Sequence, residues 1–291
     1  MPERREAFCS EVSLENAESL TGTASRVDHW LLVEYRGLWG HDALRASGLS
    51  DEVKGRLREQ RDARPNTKLL FVRRPQRRDH PTLAVFWGSS PERGGELFHA
   101  ELERYDDLLD LDLTGRGEAL DHPVLLVCTH GKHDRCCARY GRPLYLALEE
   151  LAEDGWVWQA SHLGGDRFAG NVVFLPEGLY FGRVAPADAW TVLDEYLGGR
   201  IELDHYRGRS AYSFGEQTGE IAIRATAGLR GIDDLELVEH EGAHLRFRSG
   251  SRVFDVGVVY EPGELTYLTC DAETLRHPRH YAAGILRESA S

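Results

Sequence analysis

The chain has 291 residues, with Lys+Arg 35 against Asp+Glu 48 and a formal net charge of −13. At 32.8 kDa it buries roughly three quarters of its unfolded surface, and 41% hydrophobic with 29% charged residues is ordinary globular composition. No apolar run approaches the ~18 residues of a membrane span, the charged start lacks the apolar stretch of a signal peptide, and the negative balance repels nucleic acid. The expected setting is therefore the cytoplasm, with neither a membrane nor a nucleic acid as partner.

In chain order, residues 30–35 (Trp-Leu-Leu-Val-Glu-Tyr) read as a strand and 49–61 as an exposed helix, followed by buried strands at 68–72 and 82–87. Within this first segment, taken as residues 1–117, charge is uneven. Residues 51–78 hold 10 basic and 4 acidic side chains, a balance of +6. Residues 96–121 hold 9 acidic and 2 basic, a balance of −7. Both runs read as solvated faces, with a polarised docking surface as the sharper alternative.

The second segment, 118–204, opens on a buried strand at 123–128 that feeds a polar loop at 129–135. A helix follows at 140–151, with Leu144, Ala147, Leu148 and Leu151 on one face. Short strands at 156–158, 171–175 and 179–182 come next, the last two joined by a Pro-Glu-Gly turn at 176–178. A helix at 187–197 closes the unit at Gly198-Gly199. The order β-α-β-β-β-α is thioredoxin-like. The first segment shows a similar order, and Leu31-Leu-Val-Glu-Tyr-Arg-Gly echoes Leu125-Leu-Val-Cys-Thr-His-Gly, so a diverged duplicate is one reading of it. From 205 to 291 a helix at 216–227 and short strands make a small α+β extension with no chemistry of its own.

Five cysteines are too few, and odd in number, for a disulfide framework. Three of them, Cys128, Cys136 and Cys137, fall within ten residues, which suits metal ligands or redox groups in a chain without a leader. Cys128 ends a buried strand, Cys136 and Cys137 precede a helix, and His162 follows the next strand. Asp166 lies four residues beyond His162, past Gly164 and Gly165, which let backbone approach a bulky group. Thiolates, an imidazole and a carboxylate at one end of one sheet are the inventory of a metal site. Zinc accepts all three donor types, and an iron–sulfur cluster uses thiolates with histidine in Rieske centres. The Cys-x8-Cys spacing does not choose between them.

These residues resemble the sucrase/ferredoxin-like family, whose core is a thioredoxin-like [2Fe–2S] ferredoxin domain. The matching runs are Cys-Thr-His-Gly with Asp-Arg-Cys-Cys-Ala at 128–138, Gly-Arg-Pro at 141–143 and Ser-His-x-Gly-Gly from Ser161. Arg-Phe-Ala at 167–169, Leu-Pro-Glu-Gly at 175–178 and Tyr-Phe-Gly-Arg at 180–183 continue the match. Gly22-Thr-Ala24, Leu31-Leu-Val-Glu34 and Trp39-Gly40 extend it toward the start, so that it covers about residues 8–230. The resemblance implies a one-electron carrier. Cys128 and Cys137 match the cysteine ligands of relatives whose cluster is held by two Cys and two His, and His162 matches the first histidine. Asp166 stands where the second histidine would be. It is either the fourth ligand, which lowers the potential and loosens the cluster, or a hydrogen-bonding neighbour while Cys136 serves as third thiolate. In a third reading the site holds no cluster.

Sucrase activity is not supported, because a glycosidase needs two placed carboxylates and no acidic pair stands out. His240-Glu-Gly-Ala-His244 matches the HExxH zinc-protease pattern, but period-two alternation on both sides predicts a hairpin with its turn at Glu241-Gly242. No phosphate loop or dinucleotide fingerprint is present, so a partner such as a ferredoxin reductase is expected, docking a basic face on the acidic chain. His130 and His133 read as solvated loop residues, with a role beside the ligands as the alternative. Lys132 and Arg135 are candidates to neutralise an anionic cluster, and Cys9 and Cys270 read as small buried hydrophobes. The competing functions are a zinc-binding or metal-free interaction protein, and a thiol oxidoreductase using Cys136 and Cys137.

Overall fold

A computed structural model of the chain describes residues 7–74 and 80–290. The charged start (1–6) and the tail of the basic run (75–78 of 51–78) lie outside the described residues. The first half contains α1 (Cys9–Glu15), β1 (His29–Glu34), α2 (Asp51–Asp62), β2 (Thr67–Arg73), β3 (Leu83–Ser89), β4 (Glu96–Leu102) and the short β5 (Glu118–Ala119). The second contains β6 (Val124–Cys128), α3 (Arg135–Leu151), β7 (Val157–Ala160), β8 (Val172–Leu175), β9 (Leu179–Phe181) and α4 (Ala189–Leu197). Then follow β10 (Tyr206–Arg209), α5 (Phe214–Ala227), β11 (Glu236–Glu241), β12 (His244–Ser249), β13 (Arg252–Tyr260) and β14 (Tyr281–Ala290). The protein is mixed α/β, as the sequence predicts, and no helix among the described residues is long and apolar enough to cross a membrane.

Ten strands form one sheet in the order β10-β9-β8-β6-β7-β2-β1-β3-β4-β5. In the second half β6 pairs parallel with β7 and antiparallel with β8, and β8 antiparallel with β9. In the first half β1 pairs parallel with β2 and antiparallel with β3, and β3 antiparallel with β4. The two halves repeat one topology. They join edge to edge through β2 and β7, where Val72 faces Ala160 across an antiparallel pair. Register makes that contact the pseudo-twofold axis. Glu34 pairs with Val72 as Cys128 pairs with Ala160, so Val72 and Ala160 occupy equivalent positions and are each other's partners.

The central strands are uninterrupted apolar runs because both sheet faces are covered; Val124 to Cys128 are all buried. One face carries a layer continuous across the halves, with Leu32, Val72, Leu126, Trp158 and Ala160. On the other, α2 packs Val53 and Leu57 onto Leu31 and Val33, and α3 packs Leu144 and Leu148 onto Leu125 and Val127.

Three local features depart from the sequence reading. Helix α3 starts at Arg135, not at 140, because the Asp134 carboxylate accepts the Cys136 N–H at 2.8 Å and caps a first turn that contains Cys136 and Cys137. Strand β10 continues the large sheet past residue 204, its Arg209 reaching Glu220 of α5. The extension forms a four-stranded sheet, β11-β12-β13-β14, of which β14 carries no clear sequence signal. Residues 240 and 244 sit on the β11–β12 hairpin, with Gly242 at φ 62°, so the HExxH match is not a helical ligand pair.

Candidate metal centre

Cys128 is the last residue of β6, held by its N–H to the Asn171 carbonyl at 3.0 Å. Gly141 lets α3 pass against this strand end, since a Cβ there would run into the Cys128 carbonyl. Cys137, in the first turn of α3, is fully buried beside it. His162 leaves β7 after Ser161, whose N–H donates to the Phe71 carbonyl at 2.8 Å while its Oγ accepts the Phe71 N–H at 3.0 Å. The His162 N–H in turn donates to His130 Nδ1 at 3.3 Å, leaving His130 Nε2 to donate to the Gly40 carbonyl at 2.6 Å.

Beyond His162, Gly164 and Gly165 adopt φ of 107° and 80° and fold the chain back. This brings Asp166 under His162, with Oδ1 at 3.0 Å from Nδ1. The Cys137 thiol donates to the same Oδ1 at 3.2 Å and lies 3.9 Å from His162 Nδ1. The double-glycine turn is held by Arg207 of β10, a buried guanidinium that donates to the Gly164 carbonyl at 3.1 Å and to Asn171 Oδ1 at 2.8 Å.

His133 completes the group. Its ring stacks on His162 with centroids 3.8 Å apart, and its Nε2 is 4.0 Å from Asp166 Oδ2. Donor atoms of Cys128, Cys137 and His162 lie within 4.8 Å of one another, as do those of His133, His162 and Asp166. Two sulfurs, two imidazoles and a carboxylate therefore converge, and the loop histidine read as solvated belongs with them. The Asp-for-His departure at position 166 is accompanied by a second imidazole from the loop. Cys136 stands apart. Its sulfur is 3.5 Å from Cys9 and 3.2 Å from Cys270, so the adjacent Cys136 and Cys137 serve separate groups and not a shared dithiol.

Electrostatics favour an anionic sulfur at this centre. Cys137 hydrogen-bonds Cys128, and this with the neighbouring His162 holds the Cys128 thiol well below its ordinary range despite burial, Cys137 being the protonated partner whose own value rises. Burial would depress His162, but Asp166 and the Cys128 thiolate outweigh it and push His162 up to about 9. Burial would raise Asp166, yet His162 holds it below the usual carboxylate range. Burial lowers His130 and His133.

Both cysteines are closed to solvent, whereas His133 and His162 line a cleft of about 370 Å³. Arg45, Arg58, Arg61 and Lys68 stand around this cleft against one acidic residue, Asp42. Sequence reasoning gave His133 a place beside the ligands only as an alternative, and it missed Asp134 and Arg207. Asp134 carried an N-cap signal two residues before the cysteine pair, while Arg207, on the strand after the expected boundary, had none.

A family model described as sucrase/ferredoxin-like matches residues 20–208. The chain is 30% identical over 131 residues to "Altered inheritance of mitochondria protein 32" of Meyerozyma guilliermondii, covering 40% of this chain and 46% of that protein. It is 32% identical over 131 residues to the protein of the same name in Saccharomyces kudriavzevii, covering 40% and 39%. The match thus spans less than half the length of these curated relatives. Among solved structures, a variant of the thioredoxin-like [2Fe–2S] ferredoxin from Aquifex aeolicus is 19% identical, with a TM-score of 0.28, covering 30% of this chain and 100% of that one.

Proposed function

This chain belongs to the sucrase/ferredoxin-like family, and from that premise we propose that it is a one-electron carrier whose cluster is held at the β6–α3 end of the sheet. The observation that carries the reading is the donor set: two buried sulfurs with two imidazoles and a carboxylate in contact beside them. Thiolate and imidazole are the donors of a Rieske-type centre, and the residues fit such a group in chemistry and burial. Cys128 and Cys137 would hold its enclosed side. His162 would hold the cleft side, with His133 or Asp166 as fourth ligand. A bound [2Fe–2S] cluster supplies exchange of a single electron.

The chain's own residues set the conditions for that exchange. Cys137 and His162 must each give up a proton on ligation, so loading releases protons and weakens as pH falls. Asp166 orients His162 through Nδ1, and Arg207 fixes the turn that carries Asp166. The half-exposed His133 and His162 form the only edge of the donor set that reaches the cleft among the described residues, and electrons would pass there. The net charge predicts a partner with a basic face, but the cationic rim around this edge reverses that expectation locally: a reductase would present acidic groups here. The five cysteines are free of disulfides, which suits a reducing compartment such as the cytoplasm.

A second reading has its own support. Donor atoms within 4.8 Å of one another match a single tetrahedral ion, and zinc takes this ligand set. Full-length protein purified without oxygen and analysed for iron, acid-labile sulfide and zinc separates the two. About two irons and two sulfides per chain with visible absorption support the carrier; a colourless protein whose zinc is lost in Cys137→Ser supports the zinc site and overturns the carrier.

A further inference from the structure

The second cluster of sulfurs lies on the far side of the α3 cap. Cys9 is the first residue of α1, Cys136 is in the first turn of α3, and Cys270 lies in the segment between β13 and β14. Chain separations between them reach 261 residues, yet their sulfurs stand 3.5, 3.2 and 3.7 Å apart. A disulfide needs about 2.05 Å, so these are three free thiols in mutual contact. Four ligands around zinc at about 2.3 Å stand about 3.8 Å from one another in a tetrahedron. The triangle of sulfurs is close to one face of that tetrahedron.

Asp134 supplies the remaining corner. It is 2% exposed, with Oδ2 at 3.8 Å from the Cys9 sulfur. Its two oxygens accept one backbone N–H each, Oδ1 from Cys136 at 2.8 Å and Oδ2 from Cys270 at 2.7 Å. Each oxygen keeps a second lone pair, and the carboxylate is oriented as a ligand's would be. The sulfurs are treated likewise: Ser10 Oγ donates to Cys136 at 3.2 Å, and the Cys9 N–H approaches Cys270 at 3.5 Å. A buried carboxylate among three thiols is an expensive arrangement without a cation.

We propose that Cys9, Cys136, Cys270 and Asp134 form a second metal site, a closed structural zinc site that clamps the start of the chain and the C-terminal extension onto the cap of α3. It is independent of the Cys128 centre. Its four ligands complete a tetrahedron with no open position, which is the signature of structural and not catalytic zinc. On binding, each thiol exchanges its proton for a bond to Zn²⁺ and no electron is transferred.

The test is zinc and iron content of the full-length chain and of two double variants, Cys9→Ser/Cys270→Ser and Cys128→Ser/Cys137→Ser. About one zinc is expected in the wild type, lost at least about fivefold in Cys9→Ser/Cys270→Ser with the content of the Cys128 centre unchanged, and kept in Cys128→Ser/Cys137→Ser. Should the first variant fail to fold, cobalt titration of Cys128→Ser/Cys137→Ser decides: thiolate-to-cobalt absorption saturating at about one equivalent is the expected result. The proposal is overturned if Cys9→Ser/Cys270→Ser holds as much zinc as the wild type, if wild-type zinc disappears only with Cys128 and Cys137, or if Cys128→Ser/Cys137→Ser takes up neither metal. Failure of the carrier reading shows instead as missing iron, a separate readout.

Discussion

The two halves of the large sheet place different chemistry at one structural position. Glu34 ends β1 where Cys128 ends β6, and Arg74 follows β2 where His162 follows β7. In the first half the pair is a salt bridge between buried Glu34 and partly exposed Arg74, with the Arg74 guanidinium 2.6 Å from Glu34 Oε2 and the same oxygen accepting the Ala84 N–H at 3.0 Å. In the second the equivalent pair is a cysteine sulfur and an imidazole. Each opens on a cleft of about 370 Å³ between strand ends and a helix. The first-half cleft is rimmed by Glu149, Glu153 and Asp154, and the second-half cleft by Arg45, Arg58 and Arg61. The strand-end position in this topology gathers two side chains at the sheet edge, and residue identity decides whether they form a salt bridge or a pair of donors suited to a metal.

The largest break in this comparison comes from the sulfurs. If the centre holds a cluster, Cys137→Ser removes one of its two enclosed sulfurs, and iron content is expected to fall more than about tenfold, read by metal analysis. Glu34→Ala in the other half should leave iron content unchanged but cost about 1–3 kcal/mol in denaturant unfolding, because the buried Ala84 N–H loses its acceptor and the partly exposed Arg74 keeps only its 3.5 Å contact with Glu101. Equal iron loss in the two variants would mean that the halves are not functionally distinct.

A third buried anion sharpens the point. Glu220 lies between Arg209 and Arg224, 3.1 and 3.0 Å away, and fastens α5 to β10. Burial would raise its carboxyl, but the two guanidiniums hold it below its ordinary value of 4.5. Its contribution to stability is therefore complete above that value and lost as pH falls through the lower folded one. Acid unfolding of Glu220→Gln should show a shallower loss over this window than the wild type; an unchanged acid limb would contradict the assignment.

Smaller effects follow. Gly141→Ala pushes a methyl into the Cys128 carbonyl and should cost about 1–3 kcal/mol together with part of the metal content. The double variant Glu34→Met/Arg74→Met should lie within about 1–2 kcal/mol of the wild type, since Glu34 Oε1 has no hydrogen-bond partner among the described residues and apolar replacement removes the desolvation cost. At the cleft rim, Arg58→Glu should slow electron transfer from an acidic partner several-fold at low salt with little effect at high salt.

Much of this architecture was legible. The runs at 30–35 and 123–128 are largely apolar without alternation, which marks central strands, and their echo allowed, as one reading, the repeated topology that the registers display. Cys128, Cys137, His162 and Asp166 sit at rigid element ends, so local order in the chain predicted their convergence. His133 was legible only as an alternative, because a loop histidine next to a cap carries no period. The meeting of Cys9 with Cys270 across 261 residues depends on where the extension packs, and no local pattern encodes that. Strand β10 looked like the start of the extension because its Tyr-Arg-Gly-Arg sequence lacks the apolar run of its neighbours; its arginines are buried by pairing with Glu220 and the double-glycine turn.

The most direct test of the carrier reading is pulsed electron paramagnetic resonance on the anaerobically purified, dithionite-reduced chain, with His133→Ala and His162→Ala alongside. The account predicts the signal of a mixed-valence two-iron cluster carrying nitrogen hyperfine coupling, with the coupling reduced in His162→Ala. A chain that gives no such signal after iron and sulfide are supplied, or a signal free of nitrogen coupling, would contradict a thiolate–imidazole cluster at this end of the sheet.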